Sequence, residues 1–102
     1  HSMRPNAVLS GDPQPRFAVV AEGEQGRLSA GWWTADIGSW QVRYDEWEFC
    51  HILEGRAELA EVGCPPVLAG PGDSFVLSAG FQGTWTVLER LTKHFVILNP
   101  PA

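Results

Sequence analysis

The chain is poor in cysteine, with two in 102 residues, and that is no disulfide framework. Cys50 falls in a strand-like run and Cys64 in a Gly-Cys-Pro-Pro turn, so reduced thiols in a cytoplasmic setting are the expectation. Basic residues are also scarce. The seven Lys and Arg side chains form no run or stripe, and the net charge is -5. The electrostatic footprint of a nucleic-acid binder is therefore missing, as is the attraction to anionic membranes. No apolar run approaches the roughly 20 residues that span a bilayer. The polar, proline-punctuated start carries no signal-peptide pattern. No stretch of ten residues or more keeps a 3.6-residue hydrophobic period, which argues against helices, and there is no internal repeat.

Hydrophobic residues make up 44% of the chain and charged residues 19%, the balance of one ordinary globular domain with a single modest core. His1-Ser2-Met3 reads as an expression-tag remnant. Residues 1–16 read as an irregular arm, since three prolines interrupt 4–16 and no periodicity survives there. From residue 17 to 102 short strand-like runs follow one another, punctuated by Gly and Pro. They are Phe17–Ala21, Leu28–Thr34, Trp40–Tyr44, Phe49–Leu53, Arg56–Val62, Val67–Ala69, Ser74–Ala79, Thr84–Glu89 and His94–Leu98. Trp40, Val42 and Tyr44 share one strand face at the period of two. Glu54-Gly55 reads as a tight turn between two strands. This pattern predicts an all-β sandwich or barrel.

From about Trp32 to Leu98 the sequence resembles the cupin superfamily. The carrying residues are Trp40, Tyr44 and the run Glu48-x-Cys50-x-Ile52-Leu53-x-Gly55, then Gly72-Asp73, Gly80-Phe81, Gly83-Thr84-Trp85, Val87-Leu88-Glu89 and Lys93. The match is to small single-domain cupins of mostly unknown function, similar to the cupin domains of ureidoglycine aminohydrolase and of ethanolamine-utilisation proteins. The resemblance implies a double-stranded β-helix (a jelly-roll barrel), a pocket at its mouth, and a homodimer formed by sheet contacts or strand exchange. It also implies an inward carboxylate at Glu48. The usual accompanying histidines are absent: Val42-Arg43-Tyr44 stands where His-x-His would, and Gly83 stands where a third would, leaving space for an imidazole.

If Glu48 faces the barrel, alternation sends Cys50 and Ile52 inward with it and turns Phe49, His51 and Leu53 outward. The predicted catalytic pair is Glu48 and Tyr44. The predicted ligand pocket adds Trp40, Cys50, Phe81, Trp85 and Lys93. No cofactor is predicted. A divalent metal would need three or more converging ligands, of which Glu48 and Cys50 supply two and His94 a third if its strand turns inward. Phe95 to Leu98 are all apolar, so alternation does not choose between Lys93 and His94 as the inward residue. Against aromatic walls Glu48 would be desolvated, whereas a nearby Lys93 or Arg43 would hold it ionised. The functional expectation is a small-molecule-binding cupin, with acid–base chemistry on a small polar metabolite through Glu48 and Tyr44. The alternatives are a non-catalytic binding or accessory module, a metal-dependent cupin enzyme with atypical ligands, and a structural dimer with a filled barrel.

Overall fold

The computed structural model describes residues 7–101. Eight strands follow one another: β1 (Ala7–Gly11), β2 (Arg16–Gly23), β3 (Leu28–Ala35), β4 (Gly38–Arg43), β5 (Trp47–Glu61), β6 (Val67–Ala69), β7 (Ser74–Leu77) and β8 (Gln82–Leu98). A single 3-10 turn at Glu24–Gly26 joins β2 to β3. The radius of gyration is 12.8 Å, close to the roughly 13 Å of a compact domain of this length.

Two long strands organise the rest. β5 and β8 pair antiparallel along their whole lengths, from Trp47↔Leu98 to Glu61↔Gly83. The far edge of β8 holds β3 along its C-terminal half and β4 along its N-terminal half. The far edge of β5 holds β7 at Glu48–His51 and β6 at Ala57–Leu59. The order in one half is thus β2-β3-β8-β5-β7 and in the other β1-β4-β8-β5-β6. The two halves fold toward each other and enclose one core of apolar side chains, the antiparallel jelly-roll arrangement.

The hinge between the halves lies at Gly55, where the β5–β8 register shifts at Ile52/Glu54, Glu54/Arg56 and Arg56/Ala57. Gly55 has φ +87°, and a Cβ there would run into the Arg90 carbonyl oxygen. The expected turn at Glu54-Gly55 is therefore a bulged bend inside one 15-residue strand. Likewise Thr84–Glu89 and His94–Leu98 are parts of the single 17-residue β8. The expected irregular arm is also corrected where it is described. Residues 7–11 form β1, paired with β4 through Ala7↔Gln41 and Gly11↔Gly38. The first six residues lie outside the described range.

Candidate functional site

Alternation along β5 buries Glu48, Cys50 and Ile52, and leaves Phe49 and His51 half-buried and Leu53 exposed. On β4 it buries Trp40 and Val42, and Tyr44 just past the strand end is buried on the same side. On β8 it buries Trp85 and Lys93 and exposes His94. The choice that sequence left open falls to Lys93, because Lys93 pairs with Ile52 and Trp33, both inward-facing, whereas His94 pairs with His51 and the exposed Trp32.

These inward residues form one connected group. Lys93 Nζ donates to Glu48 Oε2 at 2.9 Å and lies 3.5 Å from Cys50 Sγ. The same ammonium sits 4.6 Å from the Trp85 ring centroid and 5.0 Å from that of Trp33, within cation–π range. Trp85 Nε1 donates to the Tyr44 hydroxyl at 3.1 Å. Trp40 stacks on Trp85 with centroids 6.3 Å apart, and Phe81 meets Tyr44 edge-on at 5.7 Å. Among the described residues, the buried side-chain atoms Glu48 Oε1 and Trp40 Nε1 make no close hydrogen bond. Groups so placed are rare in native interiors.

The electrostatics follow from burial. Glu48 is 1% exposed and Lys93 3% exposed. Burial pushes the Lys93 ammonium toward its neutral form, but Cys50 and the Glu48 carboxylate outweigh it and the net shift is upward from 10.5. Lys93 therefore stays charged at neutral pH. Burial pushes the Cys50 thiol from 9.0 up to about 12, and the Lys93 ammonium offsets this only in part. Cys50 is thus a thiol, not a nucleophile, at neutral pH. Tyr44 is raised well above 10.0, first by burial and then by the negative charge of Glu48, so its phenol keeps its proton.

Trp33 and Phe75 belong to the site but were not singled out from sequence. Trp33 carries the second ring under Lys93, and Phe75 packs on Trp85 at 6.1 Å. The signal for Trp33 was its odd-numbered place in β3, opposite Lys93. Phe75 follows the Gly72-Asp73 turn and sits opposite Cys50. Phe75 and Phe81 also line a groove of about 390 Å³ between β6 and β7, with Leu59, Val67 and Leu77 on its walls. A single aromatic layer thus separates open solvent from the Tyr44–Trp85 pair.

The donor set does not fit a metal. Among the described residues no three His, Cys, Asp or Glu side chains converge. His94, the candidate third ligand, faces outward. Nor does Gly83 leave room for an imidazole, since a Cβ there would collide with the Ala60 carbonyl oxygen of β5.

A jelly-roll barrel with an inward carboxylate on the strand after a Trp-x-x-x-Tyr run defines this protein as a small cupin. The family description "EutQ-like cupin domain" matches residues 22–95, and the chain belongs to that family. Among solved structures it is similar to EutQ of Clostridium difficile, with TM-score 0.72 and 15% identity over 82% of this chain and 61% of that one. It is also similar to a protein of unknown function from Pseudomonas syringae, with TM-score 0.82 and 21% identity over 91% of this chain and 40% of that one. Ectoine synthase from P. lautus matches with TM-score 0.75 and 15% identity over 93% of this chain and 70% of that one. The chain thus spans 61% and 40% of the first two, and these likenesses establish the fold alone. No curated protein matches it.

Proposed function

We propose that this cupin domain binds a small polar metabolite inside the barrel and moves a proton on it with Glu48 and Tyr44. The observation that carries this reading is the buried Glu48 carboxylate, held at Oε2 by Lys93, with the Tyr44 hydroxyl and Cys50 thiol beside it and no close hydrogen bond to Oε1 among the described residues. A carboxylate fixed at one oxygen is oriented to accept a proton from a ligand at the other. Tyr44 complements it. Its oxygen accepts from Trp85 and its own proton is shared with the Glu48 carboxylate, so a ligand lying between them takes over that hydrogen bond. Isomerisation, elimination and hydrolysis of a small polar molecule are the reaction types that suit a carboxylate and a neutral phenol among buried aromatic rings. In this reading Trp40, Cys50, Trp85 and Lys93 surround the ligand, and Phe81 stands with Phe75 between them and the groove. Ligand entry requires these two rings to move.

The near-complete burial of Tyr44, Glu48 and Lys93 favours one alternative, a non-catalytic module that takes up a metabolite and signals its presence to a partner. The test is a metabolite screen by thermal shift, followed by Glu48→Gln and Tyr44→Phe. If both variants bind the hit as the parent does but lose turnover, the chemistry belongs to this pair. If the parent binds and never turns over, the module reading replaces it. A chain that binds nothing leaves only a filled, structural barrel.

We further propose that the partner is a second copy, docked on the outer face of the β3-β8-β5-β7 half. That face carries Trp32, Phe49, Val96, Val76 and Trp47 and no Asp, Glu, Lys or Arg at its centre. Trp32 and Trp47 are 39% and 38% exposed. The other half presents Gln41, Thr84, Thr86 and Glu58 outward, as a solvated sheet face does. Two free thiols, one of them buried, support a cytoplasmic setting. Among the described residues no helix is long and apolar enough to cross a membrane.

A further inference from the structure

The geometry points to Lys93 as a built-in cation: we infer that its ammonium takes the seat at Glu48 that a metal ion would otherwise occupy, so that this barrel works with a covalently attached positive charge and refuses divalent metals. The inference rests on reading Glu48 as the centre of the site, and it concerns what Glu48 holds rather than what it does to a ligand.

The contacts of Nζ are those of a lodged cation. It has a carboxylate oxygen at 2.9 Å, a sulfur at 3.5 Å, and the faces of two indoles at 4.6 and 5.0 Å. Oxygen and sulfur are donors a transition metal would seek, yet here both are turned on the ammonium. The indole faces supply no lone pairs and no coordination, but they stabilise a monovalent organic cation. Two protein donors and two aromatic faces make a seat for an ammonium, not for Zn²⁺ or Mn²⁺. The lysine is anchored on β8 opposite Trp33 of β3, which sets one of the two indoles against its ammonium.

The position of the charge then shapes the chemistry available to a ligand. An ammonium offers hydrogen-bond donors but no open coordination site, so it can orient a ligand oxygen without binding it inside a metal's shell. A small molecule with a carbonyl or carboxylate oxygen beside a donor group matches Lys93 and the second Glu48 oxygen together.

The test compares metal uptake and the lysine signal in the same samples. Parent protein is incubated with Zn²⁺, Mn²⁺ or Co²⁺, desalted, and assayed by inductively coupled plasma mass spectrometry. Lysine-labelled ¹⁵N NMR follows the protected Lys93 ammonium through its contacts with the Trp33 and Trp85 ring protons. Less than 0.1 equivalent of metal, with those ring contacts unchanged, is the expected result. One equivalent of metal with loss of the ring contacts overturns the inference. Lys93→His adds a third donor beside Glu48 and Cys50, and is expected to take up one equivalent of Co²⁺ with a thiolate-to-cobalt absorption band. A folded Lys93→His that binds no Co²⁺ also counts against the inference, because the seat would then not be a cation site at all. If that variant does not fold, the parent measurements decide alone. Ligand binding by the parent is read separately, so metal uptake with retained metabolite binding overturns this inference and leaves the proposed function standing.

Discussion

Removing the Lys93 ammonium probes the interior most sharply. Lys93→Met keeps roughly the length of the side chain and deletes its charge, leaving Glu48, 1% exposed, without the ammonium that pairs with it. Stranding one member of a buried ion pair costs about 3–5 kcal/mol. At roughly 4–8 °C per kcal/mol for a domain of this size, the melting temperature should fall by about 20 °C. The loss should depend on pH in a defined direction. With no ammonium beside it, the buried carboxyl keeps a proton that the unfolded chain releases above about pH 4.3. The folded state then binds more protons than the unfolded one, and stability falls as pH rises from that point. Urea melts of Lys93→Met at pH 5 and pH 8 should therefore diverge, with the variant weaker at pH 8. The double variant Glu48→Met/Lys93→Met, which removes both charges, should recover most of the loss, since apolar replacements of buried pairs are commonly neutral or stabilising. A Lys93→Met variant within about 1 kcal/mol of the parent at both pH values would falsify the buried-pair account.

Other expectations can be checked alongside. Cys50, Tyr44 and Lys93 are all raised above their ordinary values of 9.0, 10.0 and 10.5, so from pH 9 upward the folded state holds protons that the unfolded state has released. Stability should fall with rising pH there, by at most about 1.4 kcal/mol per pH unit per group. Urea titrations at pH 8, 9.5 and 11 measure it, and Cys50→Ala should make the decline shallower; equal stability at all three would sink the assignment. Gly55→Ala should cost more than about 2 kcal/mol in chemical denaturation, since both the positive φ and the Arg90 carbonyl oppose a side chain. A cost under 1 kcal/mol would mean that the bend is not built on this glycine. Trp32→Glu should convert a dimer to a monomer in light scattering without unfolding the chain; an unchanged mass would remove that sheet face as the interface.

Much of the inward set could be read from the sequence because strand alternation is a local property. Once Glu48 was placed inward, the period of two carried Cys50 and Ile52 with it, and Trp40, Val42 and Tyr44 followed in the same way. The cupin resemblance supplied the barrel. Where both faces of a strand are apolar the rule has nothing to distinguish, and Phe95–Leu98 is such a stretch. Only pairing with β3 and β5 turned Lys93 inward and His94 outward. Gly55 reads as a turn in the sequence because turns and bulges make the same local demand, a residue tolerant of positive φ, and differ only in whether the strands beyond stay paired. Strand β1 was missed for a related reason. Its residues have little periodicity, and its order comes from the edge of β4. The space expected at Gly83 was closed by the backbone of a strand distant in sequence, which no local pattern reports.

In the proposed function the barrel interior receives a small polar ligand at Glu48. The indole N–H signals of Trp40 and Trp85 report on it directly, because one belongs to the buried donor with no close hydrogen bond among the described residues and the other to the Tyr44 hydrogen bond. ¹H–¹⁵N NMR of these two signals, recorded across a library of small polar metabolites for the parent and for Glu48→Gln, is the decisive measurement. At least one metabolite should shift both signals in the parent and fail to do so in Glu48→Gln. Signals that stay fixed across the library, or that move equally in the variant, would contradict the proposed function.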